Sequence, residues 1–177
     1  MAQHRDSARE RILTAFQELL ITTSGAGASL DAVAREAGVT KGGLLYHFGS
    51  RESLVSALLD RAEALGAEEL ERMRTAPDGA AAHYVALAEY INSPLDRAAL
   101  AVGVLARQNP RAQAHVLEMR RQYFALLDDD LGDPEFARAA MLLADGIYYD
   151  ATTIGQPFER ELDIAAFLAR LRPRTES

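Results

Sequence analysis

Apolar residues recur along the chain at the three- and four-residue spacing of amphipathic helices. The first such series follows Ser7 and comprises Ile12, Leu13, Phe16, Leu19 and Leu20. Ser7 and Glu10 have the spacing of a capping box, in which both side chains bond to free amides at a helix start. The sustained alternation typical of strands does not occur in the sequence. The pattern therefore predicts an all-α protein with about nine helices.

Glycine and proline divide the rest of the chain into helical segments. Ser29 and Thr40 each precede a short helix, and Gly38 marks the turn between the two. A long fourth helix follows residue 50. Beyond a break at residues 76–79, helices are predicted at 80–91, 95–107, 110–129, 134–152 and 161–171. We expect residues 1–50 to form a three-helix helix-turn-helix domain, and residues 51–177 to form a second, helical-bundle domain.

The second short helix contains two adjacent glycines. Each glycine inside a helix costs about 1 kcal/mol relative to alanine, so Gly42 and Gly43 need a compensating reason. Without side chains, the backbone can approach another surface closely. In a helix-turn-helix that surface is the major groove of DNA. The glycines could instead pack against a neighbouring helix, and the pattern alone leaves both interpretations open.

The same stretch resembles the TetR family of bacterial repressors, and the close resemblance spans about residues 7–60. It is carried by Ala37-Gly38-Val39-Thr40, Lys41-Gly42, Tyr46-His47-Phe48 and Ser50-Arg51-Glu52-Ser53-Leu54. One position departs from the family pattern: Leu45 stands where most members have a phosphate-contacting tyrosine. The aromatic residue follows at Tyr46, where it would contact the DNA backbone differently or pack internally.

The resemblance and the side-chain chemistry together predict a DNA-contacting set. Helix N-termini and cationic side chains suit phosphate, and lysine or small apolar groups suit base edges. The predicted set is Ser29, Thr40, Lys41, Gly42, Gly43, Leu44, Tyr46, His47 and Arg51. Of these, Thr40, Lys41, Gly42 and Leu44 are expected to face base edges. Phe16, Phe48 and Leu54 are expected to be core.

The charge distribution limits how the protein could bind DNA. The net charge is −7, but residues 1–51 carry six Arg or Lys and five Asp or Glu. The acidic excess therefore lies in residues 52–177. Such a balance opposes indiscriminate coating of DNA through long-range repulsion, and it permits a specific site with a few local contacts.

For the second domain, the resemblance implies an effector cavity and a dimer interface. By residue type, we expect Tyr84, Met119, Tyr123 and Tyr148 to line the cavity, although such residues are more often plain core. The last two helices are the interface candidates, and Asp145-Gly146-Ile147 is similar to a segment often found on the family's dimer-forming helix. Their apolar residues Leu143, Ile147 and Phe167 are the predicted contacts; alternatively, these residues close a monomeric core.

These features together predict a transcriptional regulator. The resemblance implies a homodimeric repressor that binds double-stranded DNA at a palindromic operator and is released by an unknown small-molecule effector. A helical enzyme or a protein-binding adaptor is the alternative. However, the sequence contains no nucleophile elbow, phosphate-binding glycine loop or zinc-ligand spacing. We therefore predict no catalytic residue, no metal site and no cofactor.

The remaining features concern localisation. The chain has no cysteine, its first ten residues are polar, and its longest apolar run covers only residues 98–106. Such a run is too short to span a membrane, and the N-terminus lacks the apolar stretch of a signal peptide. We therefore expect a cytoplasmic protein without a membrane partner.

Overall fold

The computed structural model describes residues 7–88 and 91–154. Over these residues the chain forms α-helices and no strand, which confirms the all-α prediction. The helices are α1 (Ala8–Thr22), α2 (Leu30–Glu36), α3 (Lys41–His47), α4 (Arg51–Arg74), α5 (Ala80–Ala86), α6 (Pro94–Ala106), α7 (Pro110–Leu131) and α8 (Pro134–Tyr149), and a π-helical turn follows at Asp150–Ile154. The helix predicted at 161–171 lies outside the described residues. Eight helices against about nine expected is a small difference.

Polar side chains determine where several helices begin. The Ser7 hydroxyl accepts a hydrogen bond from the Glu10 amide at 3.2 Å, as its spacing predicts. Ser93 and Asp96 form a complete capping box at the start of α6, and Pro94 occupies the first turn. Asp133 caps α8 by accepting from two backbone amides. These caps satisfy amides that have no partner within the helix, so they locate each helix start.

The chain forms two compact units. Unit 1 comprises Met1–Ala67 and Asn92–Met119, and unit 2 comprises Glu68–Ile91 and Arg120–Ser177. Helices α4 and α7 each contribute residues to both units. Unit 1 thus groups α1–α3 with most of α4, all of α6 and the start of α7. The functional division at residue 50 stays a prediction.

A single hydrophobic core holds unit 1 together. Helix α1 contributes Ile12, Phe16 and Leu20, all fully buried. The facing residues of α6 are mostly small, and Ala98 and Ala101 are also fully buried. Small side chains let two helices approach closely, so α1 packs tightly on α6 as well as on α2 and α3. The ion pair between Arg97 of α6 and Glu18 of α1 joins the same two helices.

Unit 2 has its own smaller cores. In one, the buried residues Ala81, Leu127, Ala137 and Met141 pack with partly buried aromatic residues. A side chain of α7 fixes the start of α5: the Asp130 carboxylate accepts a hydrogen bond from the Ala81 amide at 2.9 Å. The same carboxylate leaves no room for a side chain at residue 79, where the backbone has a φ of +91° and glycine is present.

The packing of α1 on α6 can be tested with one added side chain. We expect Ala101→Leu to destabilise unit 1 by roughly 1–3 kcal/mol, because a fully packed core must deform to accept the extra carbons. Ala99→Leu is the matched control on the exposed face of α6. Urea unfolding followed by circular dichroism measures both. Equal stability of the two variants would contradict the close α1–α6 packing.

Candidate nucleic-acid interface

Helices α2 and α3 form the predicted helix-turn-helix within unit 1. The Ser29 hydroxyl accepts from the Ala32 amide at 3.3 Å, and the Thr40 hydroxyl accepts from the Gly43 amide at 3.0 Å. Both residues are therefore helix N-caps. Between the helices, Gly38 has a φ of +65°, a conformation that favours glycine. This turn places α3 in contact with α2.

Helix α3 has one buried face and one exposed face. Leu44, together with Phe48 just after the helix, inserts into the core of unit 1. The opposite face presents Lys41, Gly42 and Tyr46 to solvent, and the Tyr46 side chain is 86% exposed. The internal-packing alternative for Tyr46 is therefore wrong. A large, fully exposed aromatic residue on such a helix is available for contact with another molecule.

His47 shares this exposed surface with Tyr46. The two rings lie edge to face, with centroids 5.2 Å apart. This arrangement is one of the favoured geometries for neighbouring aromatic rings. The pair therefore presents a phenol hydroxyl and an imidazole together, and both groups can donate to phosphate oxygens.

One predicted contact residue is not on this surface. Leu44 is fully buried in the core of unit 1, so the expectation that it faces a base edge is wrong. The physical reason is the helical period: Leu44 lies four residues before Phe48, so both side chains are on one side of α3, and that side packs into the core of unit 1. Its neighbour Leu45 is exposed instead.

Within residues 7–88 and 91–154, neither glycine of α3 packs against another helix. A side-chain carbon added at Gly42 would meet only the Thr40 hydroxyl, at 3.9 Å. At Gly43 it would meet the same hydroxyl at 3.3 Å and Val39 at 3.9 Å. Both neighbours belong to the turn before α3. The structure therefore gives no internal packing reason for the glycines, and close approach by an outside molecule remains the interpretation that explains them.

The cation in the first turn of α3 has a partner that the sequence analysis missed. Lys41 Nζ lies 3.0 Å from Asp31 Oδ2 on α2, and both side chains are more than half exposed. The two residues are ten positions apart and meet only because the turn brings the starts of α2 and α3 together. No local pattern in the sequence indicates this contact.

Two arginines lie close to aromatic rings of unit 1. The Arg51 guanidinium, in the first residue of α4, is 5.7 Å from the Phe16 ring centroid. The Arg9 guanidinium is 4.9 Å from the ring centroid of Phe48. Both arginine residues are exposed, so cation–π contact orients them without removing them from solvent. Arg9 was not predicted as a contact residue, because only the tertiary fold brings it to Phe48.

Neither a metal cluster nor a membrane span occurs in the part of the chain that the structure describes. No group of three or more His, Cys, Asp or Glu residues there could hold a metal ion. None of the helices of that part is long and apolar enough to cross a bilayer.

Comparison with known proteins identifies the helix-turn-helix. Residues 12–58 match the model of the family described as bacterial regulatory proteins, tetR family. The matched region covers most of α1, all of α2 and α3, and the start of α4, so it contains the whole exposed surface of α3. This part of the chain is therefore a helix-turn-helix of the TetR type. The resemblance carried by residues 7–60 is thereby confirmed.

Curated members of the TetR type match over the same region. The HTH-type transcriptional regulator SrpR of Pseudomonas putida is 34% identical over 58 residues, which are 33% of this chain and 27% of SrpR. The uncharacterized HTH-type transcriptional regulator TtgW, from a strain of the same species, is 34% identical over 58 residues, 33% of this chain and 43% of TtgW. The match thus spans less than half the length of these relatives.

Solved structures are similar over nearly the whole chain. SCO7518 of Streptomyces coelicolor A3(2), a candidate transcriptional regulator, is 26% identical with a TM-score of 0.66; the similarity covers 93% of this chain and 98% of that one. The multidrug binding protein EbrR in complex with malachite green has a TM-score of 0.69 at 24% identity, covering 93% and 98% of the two chains. Salmonella enterica GusR has a TM-score of 0.65 at 16% identity, covering 95% and 94%. At these low identities, the similarity to EbrR and GusR shows a shared fold and nothing further.

Two of the four predicted effector residues lie together in unit 2. The rings of Tyr84 and Tyr123 are tilted against each other with centroids 5.4 Å apart. Burial raises the pKa of Tyr123 to about 12, and burial together with the nearby Asp145 carboxylate raises the pKa of Tyr84 further. Tyr148 is partly buried on α8. Met119 belongs to unit 1, where its side chain lies directly against Gly66 of α4.

Two groups of charged residues flank the paired tyrosines. Arg120 donates two hydrogen bonds to Asp145, at 3.1 and 2.6 Å. The nearly buried Glu69 accepts from Arg72 Nε at 2.9 Å and lies 2.5 Å from His83 Nε2. Burial alone would raise the pKa of Glu69, but the hydrogen bonds from Arg72 and His83 outweigh it and lower that pKa.

The three predicted dimer residues lie in different environments. Leu143 is partly buried and packs against Val85 and Ala140 in its own unit. Ile147 is also partly buried. Phe167 lies outside the described residues. The exposed large apolar residues of α8 are instead Leu142 and Tyr149, which the sequence analysis did not select.

The two neighbouring leucines of α3 provide a test of the geometry. We expect Leu44→Ala to destabilise the protein by about 2–5 kcal/mol, because it leaves a cavity in the core of unit 1. Leu45→Ala, the adjacent and exposed control, should change the stability by less than about 0.5 kcal/mol. Urea unfolding measures both. Similar losses would show that Leu44 is not the buried member of the pair.

Proposed function

We propose that this protein is a transcriptional regulator that binds double-stranded DNA through α3 and the residues around it. The observation that carries the proposal is the exposed face of α3, where Lys41, the two glycines, Tyr46 and His47 form a surface without an internal packing role. This face lies within the region that matches the TetR family model. The match favours a regulator over the enzyme and the adaptor.

The proposed contacts differ in what they recognise. Arg51 and His47 are suited to phosphate because they can donate charged or polar hydrogen bonds from an exposed surface. Ser29 and Thr40, both exposed, add hydroxyls that can donate to phosphate oxygens. Lys41 and Gly42 are suited to the major groove, where lysine can donate to guanine acceptors. Leu44 is excluded, because it is core.

We propose that the regulator acts as a homodimer. One helix-turn-helix contacts few base pairs, and two copies contact half-sites about one helical turn apart. Helix α8 offers a face for a second copy: Leu142 and Tyr149 are exposed and lie seven residues apart, with exposed Gly146 between them. Such spacing places the three residues on one side of the helix. A two-fold axis through this face would make a symmetric operator the natural target.

We propose that a small-molecule effector binds unit 2 beside the paired tyrosines Tyr84 and Tyr123. Two half-buried phenols next to ion pairs combine apolar area with oriented polar groups, as ligand sites do. Helix α4 carries Arg51 at its start and Glu69 and Arg72 near its end. An effector that binds more tightly to one of two arrangements of this helix would shift the protein toward that arrangement. The resulting change in DNA affinity is limited by the difference between the effector's affinities for the two arrangements. The proposed outcome is repression in the cytoplasm while the protein is bound to its operator, and release from the operator when the effector binds.

Selection of random duplex DNA by the purified protein tests the DNA-binding proposal. We expect enrichment of a two-fold symmetric site bound by two chains, with the stoichiometry measured by sedimentation. Arg51→Gln should weaken binding to the enriched duplex and reduce the slope of log affinity against log salt by about 1, because one phosphate contact is lost. Arg74→Gln, at the exposed end of α4, is the control. Failure to enrich any duplex, or identical slopes for both variants, would refute the proposal.

Thermal denaturation with organic dyes tests the effector site. EbrR is solved with malachite green and with ethidium, so these two dyes are the first probes. We expect a dye that raises the melting temperature to lose part of its effect in Tyr84→Phe and Tyr123→Phe, because the phenol hydroxyls are removed. The control, in the absence of DNA, is Tyr46→Phe, whose ring is exposed in unit 1. A stabilising dye with unchanged effect in both core variants would place the effector elsewhere.

A further inference from the structure

The surface of the helix-turn-helix contains a carboxylate where DNA would approach. Asp31 lies in the first turn of α2, and its Oδ2 is 3.0 Å from Nζ of Lys41 in the first turn of α3. The side chains are 70% and 55% exposed. A molecule that reaches the lysine therefore also meets the aspartate.

A negative charge at this point is costly for unspecific DNA binding. Binding to the phosphate backbone is driven by the release of counterions when free cations neutralise phosphates. Lys41 is already neutralised by Asp31 in the free protein. A phosphate that approaches Lys41 also meets the like charge of Asp31, so this contact adds little to the affinity for random DNA.

The same carboxylate leaves the lysine able to bind a base. An ammonium group has three N–H donors. One of them is directed at Asp31, and the other two remain for acceptors such as guanine N7 and O6 in the major groove. A base edge carries no net charge, so Asp31 does not repel it as it repels phosphate.

We propose that Asp31 is a specificity-determining residue, whose carboxylate orients the Lys41 ammonium toward a base edge and withholds it from phosphate. This inference rests on the proposed DNA-binding function. It assigns a role to an acidic side chain within a cationic surface, and it concerns the ratio of affinities for specific and random DNA rather than the affinity itself. Asp31 acts through Lys41 and is a positioning residue for it.

The test compares Asp31→Asn with Glu36→Gln, which removes the same charge from the exposed end of the same helix. Affinities are measured for the enriched duplex and for a scrambled duplex of equal length and composition. We expect Asp31→Asn to raise the affinity for the scrambled duplex about two- to five-fold, the range of a surface ion pair, and to steepen its salt slope by about 1. The specificity ratio should fall accordingly, and Glu36→Gln should leave the ratio unchanged.

Two further variants separate a role through Lys41 from general repulsion. In a Lys41→Gln background, Asp31→Asn should no longer alter the specificity ratio. The proposal is overturned if Asp31→Asn still changes the specificity ratio in the Lys41→Gln background. It is also overturned if Asp31→Asn leaves the ratio unchanged in the wild-type background. In both cases the proposed DNA binding itself is unaffected. If the wild-type protein enriches no duplex, the proposed function fails first and this inference with it.

A direct readout of the ion pair comes from the lysine itself. Lys41 is the only lysine in the sequence, so protein labelled with 15N-lysine gives one side-chain ammonium signal. We expect this signal to shift in Asp31→Asn and to keep its position in Glu36→Gln, both without DNA. On addition of the enriched duplex the wild-type signal should shift again, and the scrambled duplex should shift it less. An equal response to both duplexes would contradict a base-edge contact.

Discussion

The burial of the apolar face of α1 is the interaction on which the proposed DNA-binding surface depends. Ile12, Phe16 and Leu20 enter a core that also takes residues from α2, α3, α4 and α6. Helix α3 has only seven residues and two glycines, so it would not be stable alone. Burial of Leu44 and Phe48 in this core offsets the unfavourable free energy of forming such a short, glycine-containing helix. The exposed face of α3 is then oriented by the same contacts that stabilise the unit.

The same core extends beyond the three helices of the family motif. Ala98 and Ala101 of α6 face α1, and Arg97 pairs with Glu18. On α7, Arg111 pairs with Glu52, the neighbour of Arg51 on α4. Because these contacts lie within one compact unit, a change in α6 or in the start of α7 would act on α1 and α4 directly. Coupling through packed helices with two arrangements is a physical route for regulation.

The charge distribution constrains the proposed binding of an acidic protein to a specific DNA sequence. The net charge of −7 repels DNA at long range, so binding needs local contacts of good geometry. The exposed Arg51, His47 and Lys41 provide cationic or polar donors, and the Asp31 carboxylate limits what one of them gains from phosphate alone. In unit 2 the charges serve a different purpose, because Glu69 and Asp145 are held by Arg72 and Arg120 beside buried tyrosines.

The sequence by itself determined the helical class, the positions of most helices and the helix-turn-helix. Apolar periodicity and caps are local signals, and Ser7, Ser29 and Thr40 cap helices as their spacing predicts. Helix α5 nevertheless ends at Ala86 rather than at residue 91, because a helix end depends on contacts that a short window does not contain.

Only the tertiary structure decided which faces of the helices are available to other molecules. Leu44 and Leu45 are adjacent apolar residues on a helix too short for its apolar pattern to show which of them is buried. In the folded unit, Leu44 is buried in the shared core and Leu45 is exposed. Asp31 and Lys41 meet across a turn, and Arg9 meets Phe48 across the fold of unit 1. Tyr84 and Tyr123 pair because α5 and α7 pack together in unit 2. In each case the contact joins residues distant along the chain, and local periodicity carries no information about such pairs.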